Sequence, residues 1–159
     1  MIKYTNVELT FAEIPDEINL CFSISNCAGM CRNCHSPELR ENIGQSLKEN
    51  IIAELQKQPW TTCVVFLGEA LKVPNAYEQW REIVDMVRHY NPQLKIAMYS
   101  GRDTVVEEIW YLFDYVKVGA YYEEFGPLNN RKTNQKLYKN NQKFDLKNDI
   151  TNKFWRMNQ

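Results

Sequence analysis

Three cysteines, Cys27, Cys31 and Cys34, fall within Cys27-Ala28-Gly29-Met30-Cys31-Arg32-Asn33-Cys34, separated by three residues and then by two. A loop this short, with Gly29 easing its turn, can wrap three sulfurs around one small object. A cubane 4Fe-4S cluster normally takes four thiolates, so three cysteines leave one iron open. An open coordination position is where a metal centre meets substrate, whereas structural sites are closed. Structural zinc is the competing reading, with His35 completing a Cys3His set. Against it, His35 adjoins Cys34 directly, while paired zinc ligands usually stand about two to four residues apart. Packed thiols are the third reading, and buried structural cysteines have no reason to cluster in a loop. Cys21 and Cys63 lie in apolar runs that read as strands, and for them packing is the expected role.

The elements that must position this loop are those of a single domain. At 159 residues the chain can bury a core but is short for a complete eight-stranded α/β barrel. Its 44% hydrophobic and 25% charged content is ordinary for a globular protein, and no apolar run approaches the roughly 20 residues of a membrane span. The first residues, Met1-Ile2-Lys3-Tyr4-Thr5-Asn6-Val7-Glu8, lack the basic start and apolar stretch of a secretory signal. A cytoplasmic location is therefore expected, where thiols stay reduced and serve more often as ligands than as disulfide partners. The net charge of −1 is unevenly spread. From Gly126 onward eight Lys or Arg stand against two Asp or Glu, a net of +6, which leaves −7 on the preceding body. Such a tail can lie against the acidic body or an acidic partner as readily as on nucleic acid, and nucleic acid is not the favoured partner.

Ile18–Ser25 alternates bulky with small residues, the period of a strand with two different faces. Ile18, Leu20, Phe22 and Ile24 are expected under helices, and Asn19, Cys21, Ser23 and Ser25 along a polar interior. Val7–Phe11 alternates similarly and reads as an extra edge strand. Ser46 and Glu49 form a capping box for a helix bearing Leu47, Ile51 and Leu55 that stops before Pro59. Thr62–Leu67 reads as a buried strand ending at Gly68. Pro74 opens a second helix with Tyr77, Trp80, Ile83, Val84 and Val87 on one stripe. Leu94–Tyr99 is a third core strand, broken at Ser100-Gly101. Asp103 caps a third helix carrying Val106, Ile109, Trp110 and Phe113, and Tyr115–Val118 is a fourth core strand. Strands alternating with helices imply βαβ units and a mainly parallel sheet, with ligands at the C-terminal strand ends. The cysteine loop, Gly68-Glu69, Ser100-Gly101 and Gly119 all follow such ends. Residues 1–125 are thus expected to form the α/β domain. Residues 126–159 form a basic extension packing on the domain or a partner, less expected to be regular and pinned by Phe144, Phe154 and Trp155.

Three cysteines so spaced after the first strand of a parallel α/β sheet resemble the signature of radical S-adenosylmethionine enzymes. Within that superfamily, Cys31-Arg32-Asn33-Cys34-His35-Ser36-Pro37-Glu38, the short length and Thr133-Asn134-Gln135-Lys136-Leu137-Tyr138 are similar to the activases of anaerobic ribonucleoside-triphosphate reductase. The resemblance implies a partial (βα) barrel with a 4Fe-4S cluster on Cys27, Cys31 and Cys34 at its top. It implies that the open iron chelates the amino and carboxylate groups of S-adenosylmethionine, that an electron, from a donor such as flavodoxin, splits the sulfonium to methionine and a 5′-deoxyadenosyl radical, and that this radical takes a hydrogen from a glycine Cα of the large reductase subunit. Gly68 and Glu69 correspond to the family's Gly-Gly-acid segment, which contacts the methionine amino group; here, in Phe66-Leu67-Gly68-Glu69-Ala70, one glycine is missing. Asn33 and His35 flank the last cysteine, where the family contacts adenine and the cluster edge. Asn33 stands where many relatives carry an aromatic, and His35 is placed to supply a planar surface instead. Ser100 is a candidate hydrogen bond to ribose or carboxylate. Phe66, Met98 and Tyr99 are expected to exclude water, and Lys117 is either turned inward or solvated. An incomplete barrel leaves a side open to a peptide loop. Two alternatives stay open: another small radical enzyme acting on a small molecule such as a deazapurine-type precursor, and a noncatalytic zinc module binding nucleic acid through the basic tail.

Overall fold

The computed structural model describes residues 1–103, 108, 111–140 and 148–158. Strand β2 (Asn19–Ile24) forms where bulky and small residues alternate, and it continues into a parallel set with β4 (Cys63–Leu67), β5 (Lys95–Tyr99) and β6 (Tyr115–Val118). Covered on both faces, these runs are apolar nearly throughout, as parallel strands must be. Parallel neighbours cannot be joined by a tight turn. Helix α1 (Leu47–Lys57) therefore carries the chain from β2 to β4, and α2 (Ala76–Tyr90) carries it from β4 to β5. The Ser46 hydroxyl caps α1 by accepting the Glu49 amide at 3.4 Å, the helix buries Leu47, Ile51 and Leu55, and it ends before Pro59. Helix α2 buries Trp80, Ile83, Val84 and Val87. It begins two residues beyond Pro74, because Asn75 takes a left-handed φ of 56° that no helix can include.

Antiparallel strands flank this set. The sheet runs β3-β1-β2-β4-β5-β6-β7, with β1 at Lys3–Thr10, β3 at Gln45–Ser46 and β7 at Lys136–Lys139. The strand foreseen at Val7–Phe11 is thus longer and starts earlier, and β3 pairs with its outer side at Lys3 and Tyr4. The Asn-, Lys- and Gln-rich stretch after Gly126 supplies β7, which lies antiparallel on β6 with Leu137 opposite Lys117. Its pattern is easily missed: Gln135 and Leu137 are buried while the intervening Lys136 is only partly so.

The sheet separates two apolar layers. On the helix side Trp80 stands 4.8 Å from Phe66 and 6.2 Å from Phe113 between ring centroids, within a core that takes in Phe22, Ile24, Met98 and Val116. The opposite face was expected to be a polar interior. Asn19 and Ser25 are indeed buried there, but Cys21, Cys63, Val65, Ala97, Tyr115 and Leu137 make it a second, smaller apolar core, closed by Ile14 and Phe154. Phe154 comes from a short 3-10 segment, Thr151–Asn158, so the tail reaches the inner face of the sheet. Of the third helix's stripe, Val106, Ile109 and Trp110 lie outside the described residues, as does Phe144 of the tail; Phe113 is buried beside Trp80. Among the described residues no helix is long and apolar enough to cross a membrane.

Candidate metal centre

The cysteine loop leaves the C-terminal end of β2 through Asn26, whose left-handed φ of 60° turns the chain out of the sheet. Its base is strapped to the returning chain: the Asn26 amide donates to Glu41 C=O at 3.1 Å and the Cys27 amide to Leu39 C=O at 2.9 Å. Arg40 then closes the loop from below. Its Nε donates to Gly29 C=O and its Nη2 to Cys31 C=O, both at 3.1 Å. A guanidinium holding two carbonyls on either side of Met30 fixes the loop's shape before any metal arrives. The Gly29 amide donates to Cys27 Sγ at 3.3 Å. A Cβ on Gly29 would stand 3.3 Å from Cys27 Sγ and 3.8 Å from Cys31 Sγ, so both sulfurs converge on the side glycine leaves vacant. All three thiols of the loop are free and half-buried. Three unpaired thiols on one braced loop suit a group with several metal atoms. Among the described residues no three His, Cys, Asp or Glu are placed to hold a single ion.

Beside the loop lies a cavity of about 210 Å³, walled by Cys27, Cys31, Gly68, Glu69, Leu71 and Arg102 among others. Gly68 brings β4 there at a φ of +128°, and a Cβ on it would press on Ile24 C=O at 3.3 Å, so the ends of β2 and β4 pass this closely only with glycine. The Glu69 residue is only 6% exposed. Its Oε2 accepts from Ser100 Oγ at 2.7 Å and from Arg102 Nε at 3.1 Å, and its Oε1 accepts from Arg102 Nη2. The Glu69 carbonyl accepts the Trp80 indole N–H at 2.8 Å, which ties the cavity wall to the core.

Of the residues singled out by sequence, Cys27, Cys31, Gly68 and Glu69 share this cavity, and Ser100 reaches it through Glu69. Asn33 and His35 do not line it. The Asn33 carboxamide donates to Glu123 Oε2 at 2.8 Å and the His35 ring lies 5.2 Å from that of Tyr121, so both connect the far end of the loop to the segment after β6. Phe66 and Met98, expected to shield the site, point instead into the helix-side core. Strand alternation makes this unavoidable, since successive side chains face opposite ways and only Tyr99 turns inward.

Lys117 is turned inward and 8% exposed. Its Nζ donates to Gly119 C=O at 3.1 Å and sits 5.3 Å above the Tyr99 ring centroid. Burial pushes its pKa down to about 8, against the opposing pull of Cys31, Glu13 and Glu69. With Glu13, Tyr99 and Gln135 it lines a second cavity, of about 310 Å³, on the inner face. Sequence reasoning missed Arg40 and Arg102. Arg102 follows Ser100-Gly101 at a strand end, the place where ligands gather, and that was a usable signal; Arg40 carried none, because its role depends on how the chain returns past the loop.

No curated protein and no solved structure matches the chain. A family model described as a 4Fe-4S single cluster domain matches residues 18–124, from the start of β2 through the cysteine loop to beyond β6. That stretch is more than half of the chain and holds every cavity-lining residue described beside the loop, and so this iron–sulfur protein belongs to the 4Fe-4S single cluster domain family.

Proposed function

We propose that Cys27, Cys31 and Cys34 hold a 4Fe-4S cluster at which S-adenosylmethionine is reductively cleaved, and that the product radical makes a glycyl radical on anaerobic ribonucleoside-triphosphate reductase. The observation that carries this reading is the cavity shared by Cys27 and Cys31 with Gly68 and Glu69, which gives a small molecule room directly beside the loop. When bound, the cluster supplies one electron that splits the sulfonium into methionine and a 5′-deoxyadenosyl radical, which becomes 5′-deoxyadenosine on taking the glycine hydrogen. The chain's own residues do the rest. Arg40 and the Gly29 amide hold the turn between Cys27 and Cys31 in shape. Glu69, kept in place by Ser100, offers a fixed carboxylate acceptor to the N–H groups of the substrate's α-amino group. Asn33 and His35, which lie outside the cavity against Glu123 and Tyr121, would meet only the adenine end of a ligand that extends beyond it.

In this reading the parallel strands β2, β4, β5 and β6 are the staves of a partial barrel formed by residues 1–125. Residues 126–159 extend it, and the target glycine enters from the side the barrel leaves open. The electron comes from a donor of the flavodoxin type in the reducing cytoplasm. A second reading, a radical enzyme acting on a small molecule, draws on the inner cavity lined by Glu13, Lys117 and Gln135. One experiment separates them. Anaerobically reconstituted protein, reductant and S-adenosylmethionine are mixed with the large reductase subunit and followed by electron paramagnetic resonance. A carbon-centred radical on the subunit is the expected result. Cleavage of S-adenosylmethionine with no radical on the subunit would reject the reductase as target.

A further inference from the structure

Lys117 is a cation that the sheet buries without a matching anion. Lysine is almost never buried unless paired, yet among the described residues none forms an ion pair with it. Its Nζ is anchored instead on Gly119 C=O, which also accepts Gln135 Nε2 at 3.2 Å, and over the face of the Tyr99 ring. Gly119 is fixed in turn, because its amide donates to Arg102 C=O at 2.6 Å. Two carboxylates face the ammonium. Glu13 lines the same inner cavity, and Glu69 lies toward the cysteine loop, already taken by Arg102 and Ser100.

Strand register places this charge beneath the loop. Ser23, Leu67, Tyr99 and Lys117 are successive partners across β2, β4, β5 and β6, and alternation turns all four to the inner face. The strands end in this row or one residue beyond it, and from those ends the cysteine loop, Glu69 and Arg102 emerge. Of the negative groups that pull on the ammonium, Cys31 as thiolate comes first, ahead of Glu13 and Glu69. We infer that the buried Lys117 ammonium raises the reduction potential of the 4Fe-4S cluster held by Cys27, Cys31 and Cys34. This rests on the cluster reading and not on what the cluster binds. Three thiolates leave the cluster net negative, and the electron that reduces it makes it more so; a fixed cation close by favours the reduced form, because the protein interior screens it little. The step moves one electron from donor to cluster, and no bond or proton changes at Lys117. A donor of modest reducing power can then load the cluster.

The test is a redox titration of full-length reconstituted protein at neutral pH, without S-adenosylmethionine, followed by electron paramagnetic resonance. Lys117→Met keeps the length and apolar stem of the side chain and removes the charge, so iron content is expected to match wild type. Its one-electron equilibrium is expected to shift about tenfold toward the oxidised form, a fall of about 59 mV in midpoint potential. That is the scale of one unit charge acting over about 10 Å at an effective dielectric constant of about 20. Lys117→Arg retains the charge and is expected to stay near the wild-type potential. An unchanged potential in Lys117→Met overturns the proposal, as does an equal fall in Lys117→Arg, which would make shape and not charge the cause. Should Lys117→Met not fold, Lys117→Gln carries the same expected fall and the same overturning result. Wild-type protein that takes up no iron overturns the cluster reading instead.

Discussion

Replacing Cys31 with alanine is expected to abolish the iron–sulfur chromophore on anaerobic reconstitution and to bring cleavage of S-adenosylmethionine to background. Cys31 is the middle ligand of the proposed set, its carbonyl is clamped by Arg40 and its sulfur faces the cavity. Losing a group that merely supports a ligand costs roughly 10- to 100-fold in metal affinity. Losing one of three ligands should exceed that, because no other thiol stands near to substitute: Cys21 and Cys63 are buried in the sheet, where burial pushes both thiols well up in pKa and away from thiolate. The variant should still fold, since Cys31 belongs to neither apolar core. Iron and sulfide analysis together with far-ultraviolet circular dichroism checks both halves. A folded Cys31→Ala protein with a full cluster would remove Cys31 from the ligand set.

The second large effect concerns substrate without touching the cluster. Glu69→Gln keeps the shape of the side chain and its contact with Ser100 but removes the charged acceptor offered to the α-amino group. Losing a charge-assisted hydrogen bond of about 1.5–3 kcal/mol should raise the dissociation constant for S-adenosylmethionine roughly 10- to 100-fold. Iron content should stay at the wild-type level, because Glu69 bonds to Ser100, Arg102 and Trp80, none of which belongs to the cysteine loop. Calorimetric titration of the reconstituted variant is the check. Unaltered affinity would mean that the α-amino group binds elsewhere.

Much of this arrangement is legible in the residues, for physical reasons that can be named. Local rules place the parallel strands and the first two helices, because alternation in Asn19–Ile24, the cap at Ser46 and the stripe of Trp80, Ile83, Val84 and Val87 each act within a few residues. The loop of Cys27, Cys31 and Cys34 is equally local. What escapes is set by long-range pairing. Strand β7 is four residues bearing two lysines, and it is a strand only because β6 offers it an edge. The inner face fills with Ile14 and Phe154, which no periodicity assigns to the sheet they cover. Within the site, Glu69 reads as a lone strand-end carboxylate until Arg102, thirty-three residues later, is brought onto it. Asn33 and His35 read as neighbours of the cavity because they adjoin Cys34, yet Asn33 takes a left-handed φ of 58°, and its side chain bonds to Glu123.

The central claim is that the cysteine loop and the cavity beside it form one reaction site, and product analysis tests it most directly. Reconstituted wild-type protein is reduced in the presence of S-adenosylmethionine, and the small molecules are separated by chromatography. Methionine and 5′-deoxyadenosine in equal amounts are the predicted result. A protein carrying its full complement of iron and sulfide that leaves S-adenosylmethionine intact under reduction would contradict it.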